Sequence, residues 1–286
     1  MNADQQRDSV ARVKIRDEEG ALDPGFVARV SDAIEAHDGQ ALRKLVGDLH
    51  ESDVGDVLQS LEPEERDRLV HLMGHDFDWV ALTEVDDTVR DEMLDAIPNE
   101  RITEALRELD SDDAIELISN MEEGDREEIL AGLPLAERIT LQRSLDYPED
   151  SAGRRMTSHF IAVPPFWTVG QTIDFMREDD RLPDDVTELY VVDPRFCFLG
   201  TVPLDRLLRS KRPTTIGDIV GEAAHSVQTT DDQEDVARLF ERYNLLSVGV
   251  LDDTGRLVGV ITVDDIVDVI EEEADEDIKR LAGVGD

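Results

Sequence analysis

The chain is poor in the residues that redox chemistry, nucleic-acid contact or a bilayer span would need. Of its 286 residues only Cys197 is a cysteine, so neither an intramolecular disulfide nor a cysteine zinc cluster can form. Lysine is confined to Lys14, Lys44, Lys211 and Lys279. Against 29 Lys and Arg stand 69 Asp and Glu, a formal net charge of −40. Such a surface repels phosphate, which argues against direct nucleic-acid binding and against unaided docking on an anionic membrane. No run of about 18 apolar residues occurs, so no bilayer span is expected. The first twenty residues lack the apolar core of a signal peptide and read as a flexible tail, and a cytoplasmic location is expected. No nucleophile, base and orienting group fall into a recognisable set, so an enzyme is not expected and no catalytic residue is named. Many acids with few lysines fit a protein adapted to high salt, where self-repulsion is screened. In such a protein an acidic run is often only a solvated face.

A hydrophobic share of 40% is enough for packed cores, and the length calls for two or three domains. The N-terminal half repeats. Leu49 to Leu61 followed by Glu62 to Leu69 is matched sixty residues later by Leu109 to Met121 followed by Glu122 to Ile129, with a looser copy from Val89 to Arg101. Each unit reads as two short helices. Ser52 and Ser111 are expected to cap them, and Pro63 suits a first helical turn. Val54, Val57, Leu58 and Leu61 share one face, as do Ala114, Ile115, Ile118 and Met121. Stacked pairs of this kind build a small α-solenoid over residues 23–147. Pro148 to Gly153 breaks the pattern, and 148–155 reads as a linker.

Beyond the break, strands and helices alternate. Strands are expected near 160–163, 189–193, 197–202, 226–229, 245–251 and 257–263, and helices near 169–178, 205–209, 232–243 and 264–281. This half also repeats, at a constant offset of 59: Asp193, Gly200 and Arg206 correspond to Asp252, Gly259 and Asp265. Two β-α-β-β-α units related by a pseudo-two-fold axis are implied. After Asp264 the pattern becomes a helix in which Asp268, Glu271, Glu272, Glu273, Asp275, Glu276 and Asp277 crowd together. Like charges at that density repel, and hard carboxylate oxygens suit Mg²⁺. His37, His50, His71, His75, His159 and His225 show no ligand spacing. Trp79, Phe166 and Trp167 read as packing residues, and Cys197 as a buried one.

The second repeat carries Gly259, Thr262, Asp265 and Ile266 in the spacing of the CBS domain, which it resembles. That resemblance implies an adenine-nucleotide site, with Thr262 toward phosphate and Asp265 toward ribose. In the first repeat Pro203 and Arg206 replace the Thr and Asp. The order of helical repeats, CBS pair and acidic helix resembles the cytosolic part of MgtE-family magnesium transporters. The junction Tyr147 to Thr157 and the terminus Val263 to Val284 carry that match. It implies a multidomain α plus α/β fold: a 1–22 tail, a 23–147 helical domain, CBS repeats at 156–212 and 213–270, and an acidic connecting (plug) helix at 271–286. It implies Mg²⁺ held by Glu234, Asp265, Asp268, Glu273, Glu276 and Asp277, with Asp112, Asp113 and Glu116 on the helical domain. Asn244 stands where the family carries an Asp. The expected partners are a pore domain, on the same or a separate chain, and a second copy in a homodimer. The rival expectation is a stand-alone CBS protein that senses ATP or another adenine nucleotide and regulates a soluble partner.

Overall fold

The computed structural model describes residues 15–17, 19–179, 181–183, 186–221 and 225–270. It divides into two compact units, residues 1–109 with 116–132, and residues 110–115 with 133–286.

The first unit holds short helices: α1 (Pro24–Glu35), α2 (Gly39–Val46), α3 (Glu51–Ser60), α4 (Pro63–Met73), α5 (Asp87–Ala96), α6 (Asn99–Ala105), the later turns of α7 (Ser111–Ser119), and α8 (Glu123–Ala131). Val57, Leu58, Leu69, Leu82, Ile102, Ile118 and Ile129 are buried between them. Each such side chain contributes about 1.5–3 kcal/mol when fully buried. Pro63 opens α4 as expected. Ser52 does not cap α3; it lies inside the first turn, and His50 takes the cap position. Arginines tie the two helices of a repeat together. Arg66 Nε donates to the Leu58 carbonyl at 2.9 Å, and Arg126, sixty residues on, donates to the Ser119 carbonyl at 3.1 Å. Arg16, in the stretch read as tail, spans Asp53 and Asp56 on α3.

The second unit begins with the 110–115 turn, α9 (Leu135–Leu145) and α10 (Ala152–Arg155), and continues through β1 (Ala162–Val163), α11 (Val169–Glu178), β2 (Glu188–Val192), β3 (Phe198–Pro203), α12 (Leu204–Arg209), β4 (Ser226–Gln228), α13 (Gln233–Tyr243), β5 (Ser247–Leu251) and β6 (Leu257–Thr262). Residues 263–270 are helical. The sheets run β1-β2-β3 and β4-β5-β6, in each case a parallel pair followed by an antiparallel one. The offset of 59 therefore maps one sheet on the other. Glu188 and Ser247 are equivalent under it and meet: Ser247 Oγ donates to Glu188 at 2.8 Å, and the buried Tyr190 hydroxyl donates to Ser247 Oγ at 2.7 Å. The hairpin turns pair too. Phe198 N donates to the Gly255 carbonyl at 3.2 Å and Leu257 N to the Phe196 carbonyl at 3.0 Å. Gly255 sits at φ 77° and its counterpart Phe196 at φ 66°, where a side chain is strained.

Two stretches assigned by composition to a linker and a domain start are core. Ala152 and Met156 are buried with Val227, Phe240, Val250 and Ile261 of the second repeat. Ile216 is buried with Ile161, Val169 and Leu189 of the first. Each repeat thus takes in the segment that precedes the other. Gly153 is required here, because a Cβ would lie 2.6 Å from the Tyr147 ring and 2.8 Å from the Thr229 carbonyl. Trp79 is buried and Trp167 packs edge-on against Phe175, but Phe166 is 68% exposed and does not pack. Cys197 is only partly buried.

Candidate cation site

The segment 155–159 assembles a polar corner in the second unit. Thr157 exchanges both backbone hydrogen bonds with Val260 of β6, at 2.8 and 3.0 Å. Ser158 N donates to Ser111 Oγ at 2.8 Å, and His159 pairs with Asp110. Ser111 is thereby drawn to the 155–159 segment, and the first turn of α7 settles beside the end of β6. Two acids follow in that turn, Asp112 and Asp113.

Asp112 Oδ1 is sealed from solvent and has no hydrogen-bond partner among the described residues. Its pKa is raised well above the carboxylate range, first by burial and then by the charges of Asp265, Asp113 and Asp110. Asp265 belongs to the helix that follows β6. Its Oδ2 accepts from Thr262 Oγ1 at 2.5 Å and from Thr262 N at 3.2 Å. Burial pushes Asp265 up to about 6, while the Thr262 hydrogen bonds and the Arg155 charge pull the other way. Two carboxylates that both resist ionising in this corner are a place where added positive charge would favour the ionised forms. Mg²⁺ needs one or two carboxylates and completes its octahedron with water, so this pair fits it. Among the described residues no group of three or more His, Cys, Asp or Glu is gathered as a metal cluster.

The other named acids lie differently. Asp268 is one turn beyond Asp265 on the same helix and has interactions of its own. Asp113 likewise has partners. Glu116, in the first unit, accepts from the buried Arg90 at 2.5 Å, a guanidinium it shares with Asp87. Glu234 pairs with Arg238 on α13. Glu273, Glu276 and Asp277 lie outside the described residues. Asn244 is the left-handed C-cap of α13, a position asparagine tolerates. For the nucleotide reading, Thr262 and Asp265 are bonded to each other, and Gly259 is covered by Met156. Sequence reasoning missed Arg155 and His159; their link to the acids runs through the Thr157–Val260 bridge, which no local pattern announces.

A stack of short helix pairs followed by a two-repeat β-α-β-β-α module is the architecture of a helical domain with a CBS pair. Residues 49–150 match the MgtE intracellular N domain and residues 216–272 the CBS domain. The chain is 31% identical over 278 residues to the magnesium transporter MgtE of Thermus thermophilus and 28% identical over 243 residues to that of Bacillus subtilis. These alignments cover 92% and 85% of this chain but 59% and 54% of the relatives, so the chain spans little more than half their length. In structure it resembles the soluble part of a magnesium transporter, at TM-score 0.77 and 27% identity, covering 87% of this chain and 98% of that one. It also resembles the cytosolic domain of the Mg²⁺ channel MgtE in complex with ATP, at TM-score 0.78 and 28% identity, covering 85% and 99%. These matches place the chain with the cytosolic region of the MgtE family.

Proposed function

We propose that the chain is the Mg²⁺-sensing regulatory module of a magnesium transporter or channel, and that Asp112 and Asp265 hold one of the sensed ions. The observation that carries this reading is the sealed Oδ1 of Asp112, partnerless among the described residues and facing the charge of a second buried acid. Without a cation the two carboxylates oppose the packing of the 110–115 turn on the corner after β6. Unit charges about 4 Å apart repel by roughly 4 kcal/mol at an effective dielectric near 20. A bound divalent ion reverses the sign of that interaction and locks the turn to the helix that starts at 263. Asp268, Glu273, Glu276 and Asp277 extend the acid supply along the same stretch of sequence. By analogy with the named relatives, that helix carries the signal to a pore at the cytoplasmic face of a membrane, closing it when Mg²⁺ is abundant.

A homodimer is part of the proposal. Leu208 on α12 and Val267, equivalent under the 59-residue offset, are both exposed, at 66% and 48%. A two-fold contact would cover this repeated apolar face. Adenine-nucleotide binding at Gly259, Thr262 and Asp265 is the weaker alternative, since a nucleotide would have to part Thr262 from Asp265. The test is a Mg²⁺ titration at constant high KCl, followed by scattering size and protease resistance, with an ATP arm. Compaction and protection that Asp112→Asn abolishes support the reading. Equal size and cleavage in Mg²⁺ and in chelator refute it, and nucleotide-dependent protection without a Mg²⁺ response favours the alternative.

A further inference from the structure

We propose that Arg155 sets the affinity of the Asp112–Asp265 site, acting as a tethered cation that competes with the metal for the same negative charge. This rests on the cation-sensing reading above.

Three features place Arg155 there. It ends α10, and its Nε donates to Gln233 Oε1 at 2.9 Å. Gln233 is only 4% exposed and its backbone N is bonded to the Asp150 carbonyl at 2.8 Å, so the guanidinium is tethered to a buried acceptor. Thr157 faces Val260 in an antiparallel bridge. The helix α10, which Arg155 ends, packs against β6, and the last residue of β6 is Thr262, whose hydroxyl is bound to Asp265. In agreement, the Arg155 charge favours the ionised form of Asp265 against the larger effect of burial.

A guanidinium stays charged at every physiological pH, so this counterion cannot be titrated away. It stabilises the corner when no metal is present and repels a divalent ion that enters. Both effects weaken apparent Mg²⁺ binding and raise the concentration at which the site fills. Because the pair is partly buried, salt screens the effect less than at the surface.

The experiment is calorimetric Mg²⁺ titration at constant ionic strength of the whole chain and of Arg155→Gln, Arg155→Lys and Asp112→Asn. The event lost in Asp112→Asn defines the site. Gln keeps a donor for Gln233 but no charge, and is expected to bind about tenfold tighter. Lys keeps the charge and is expected within about twofold of the parent. A Gln variant no tighter than the parent, or a Lys variant as tight as Gln, overturns the competition while leaving the cation site standing. A merely structural role would lower the melting temperature of Arg155→Gln equally in Mg²⁺ and chelator without moving the affinity, and would also overturn it. If no variant or parent shows an Asp112-dependent event, the cation-sensing reading falls first.

Discussion

Replacing Asp112 by Asn should make the metal-free protein more stable, the reverse of what most substitutions in a packed corner do. Asp112 Oδ1 is buried with no partner among the described residues, and its charge faces that of Asp265. Asn keeps a buried oxygen there but removes the charge, and like-charge repulsion reaches roughly 4 kcal/mol at about 4 Å and an effective dielectric near 20. The Asn side chain is nearly the same shape, carries no charge and offers an N–H₂ group that a carboxylate can accept. A gain of about 2 kcal/mol in chelator follows. For a unit of 150–250 residues this corresponds to a rise of roughly 4–8 °C in melting temperature. Excess Mg²⁺ should narrow the gap: at about ten times its dissociation constant the ion adds about 1.4 kcal/mol to the parent through this site and nothing to the variant. Thermal unfolding followed by circular dichroism, in EDTA and in Mg²⁺ at matched ionic strength, measures both. A variant that melts at or below the parent in EDTA, or gains as much from Mg²⁺, would refute the reasoning.

Stability in chelator should depend on pH in a stated direction. Asp265 is raised from its ordinary value to about 6, so between about pH 4 and 6 the folded state holds more protons than the unfolded one. Stability therefore falls as pH rises through that window, by about 3 kcal/mol for a shift of roughly two units, and Mg²⁺ affinity rises over the same range because the ion needs the ionised carboxylates. Urea unfolding across that window would expose a flat or rising profile as disagreement. Phe196→Gly should raise the melting temperature by a few degrees, since a residue at positive φ gives up about 1 kcal/mol of strain; an unchanged or lower value counts against the strained turn. Gly153→Ala should cost about 2 kcal/mol or more, because its Cβ meets the Thr229 carbonyl at 2.8 Å and the Tyr147 ring; chemical denaturation with less than about 0.5 kcal/mol of loss would show that the corner yields.

The repeats were legible in sequence because each carries its own periodicity. The helix 169–178 falls at Val169–Glu178 as expected, and each expected strand appears within two residues at either end, with the starts of β1 and β5 two residues late. Glu188 and Ser247 are equivalent under the constant offset of 59, and the structure brings them into contact. Packing between distant segments was not legible. Pro148 to Gly153 has the composition of a linker, yet Ala152 is fully buried, because the deciding contacts come from residues 227–261. The cation corner was half visible. Asp112 and Asp265 could be named one by one from the resemblance, but their meeting depends on Ser158 reaching Ser111 and on Thr157 pairing with Val260. The acids beyond Ile270 remain known by sequence alone.

The interchange of leading segments between the two CBS repeats has a mechanical consequence. Neither repeat owns a complete interior: Met156 belongs by chain order to one and by burial to the other, and Ile216 does the reverse. Peeling them apart would empty both cores at once, so the pair should unfold as a single cooperative block with little play along its seam. A block that stiff cannot absorb a push at the Thr157–Val260 bridge by local bending. Under the proposed sensing role, a displacement there would pass to Asp265 and the helix behind it.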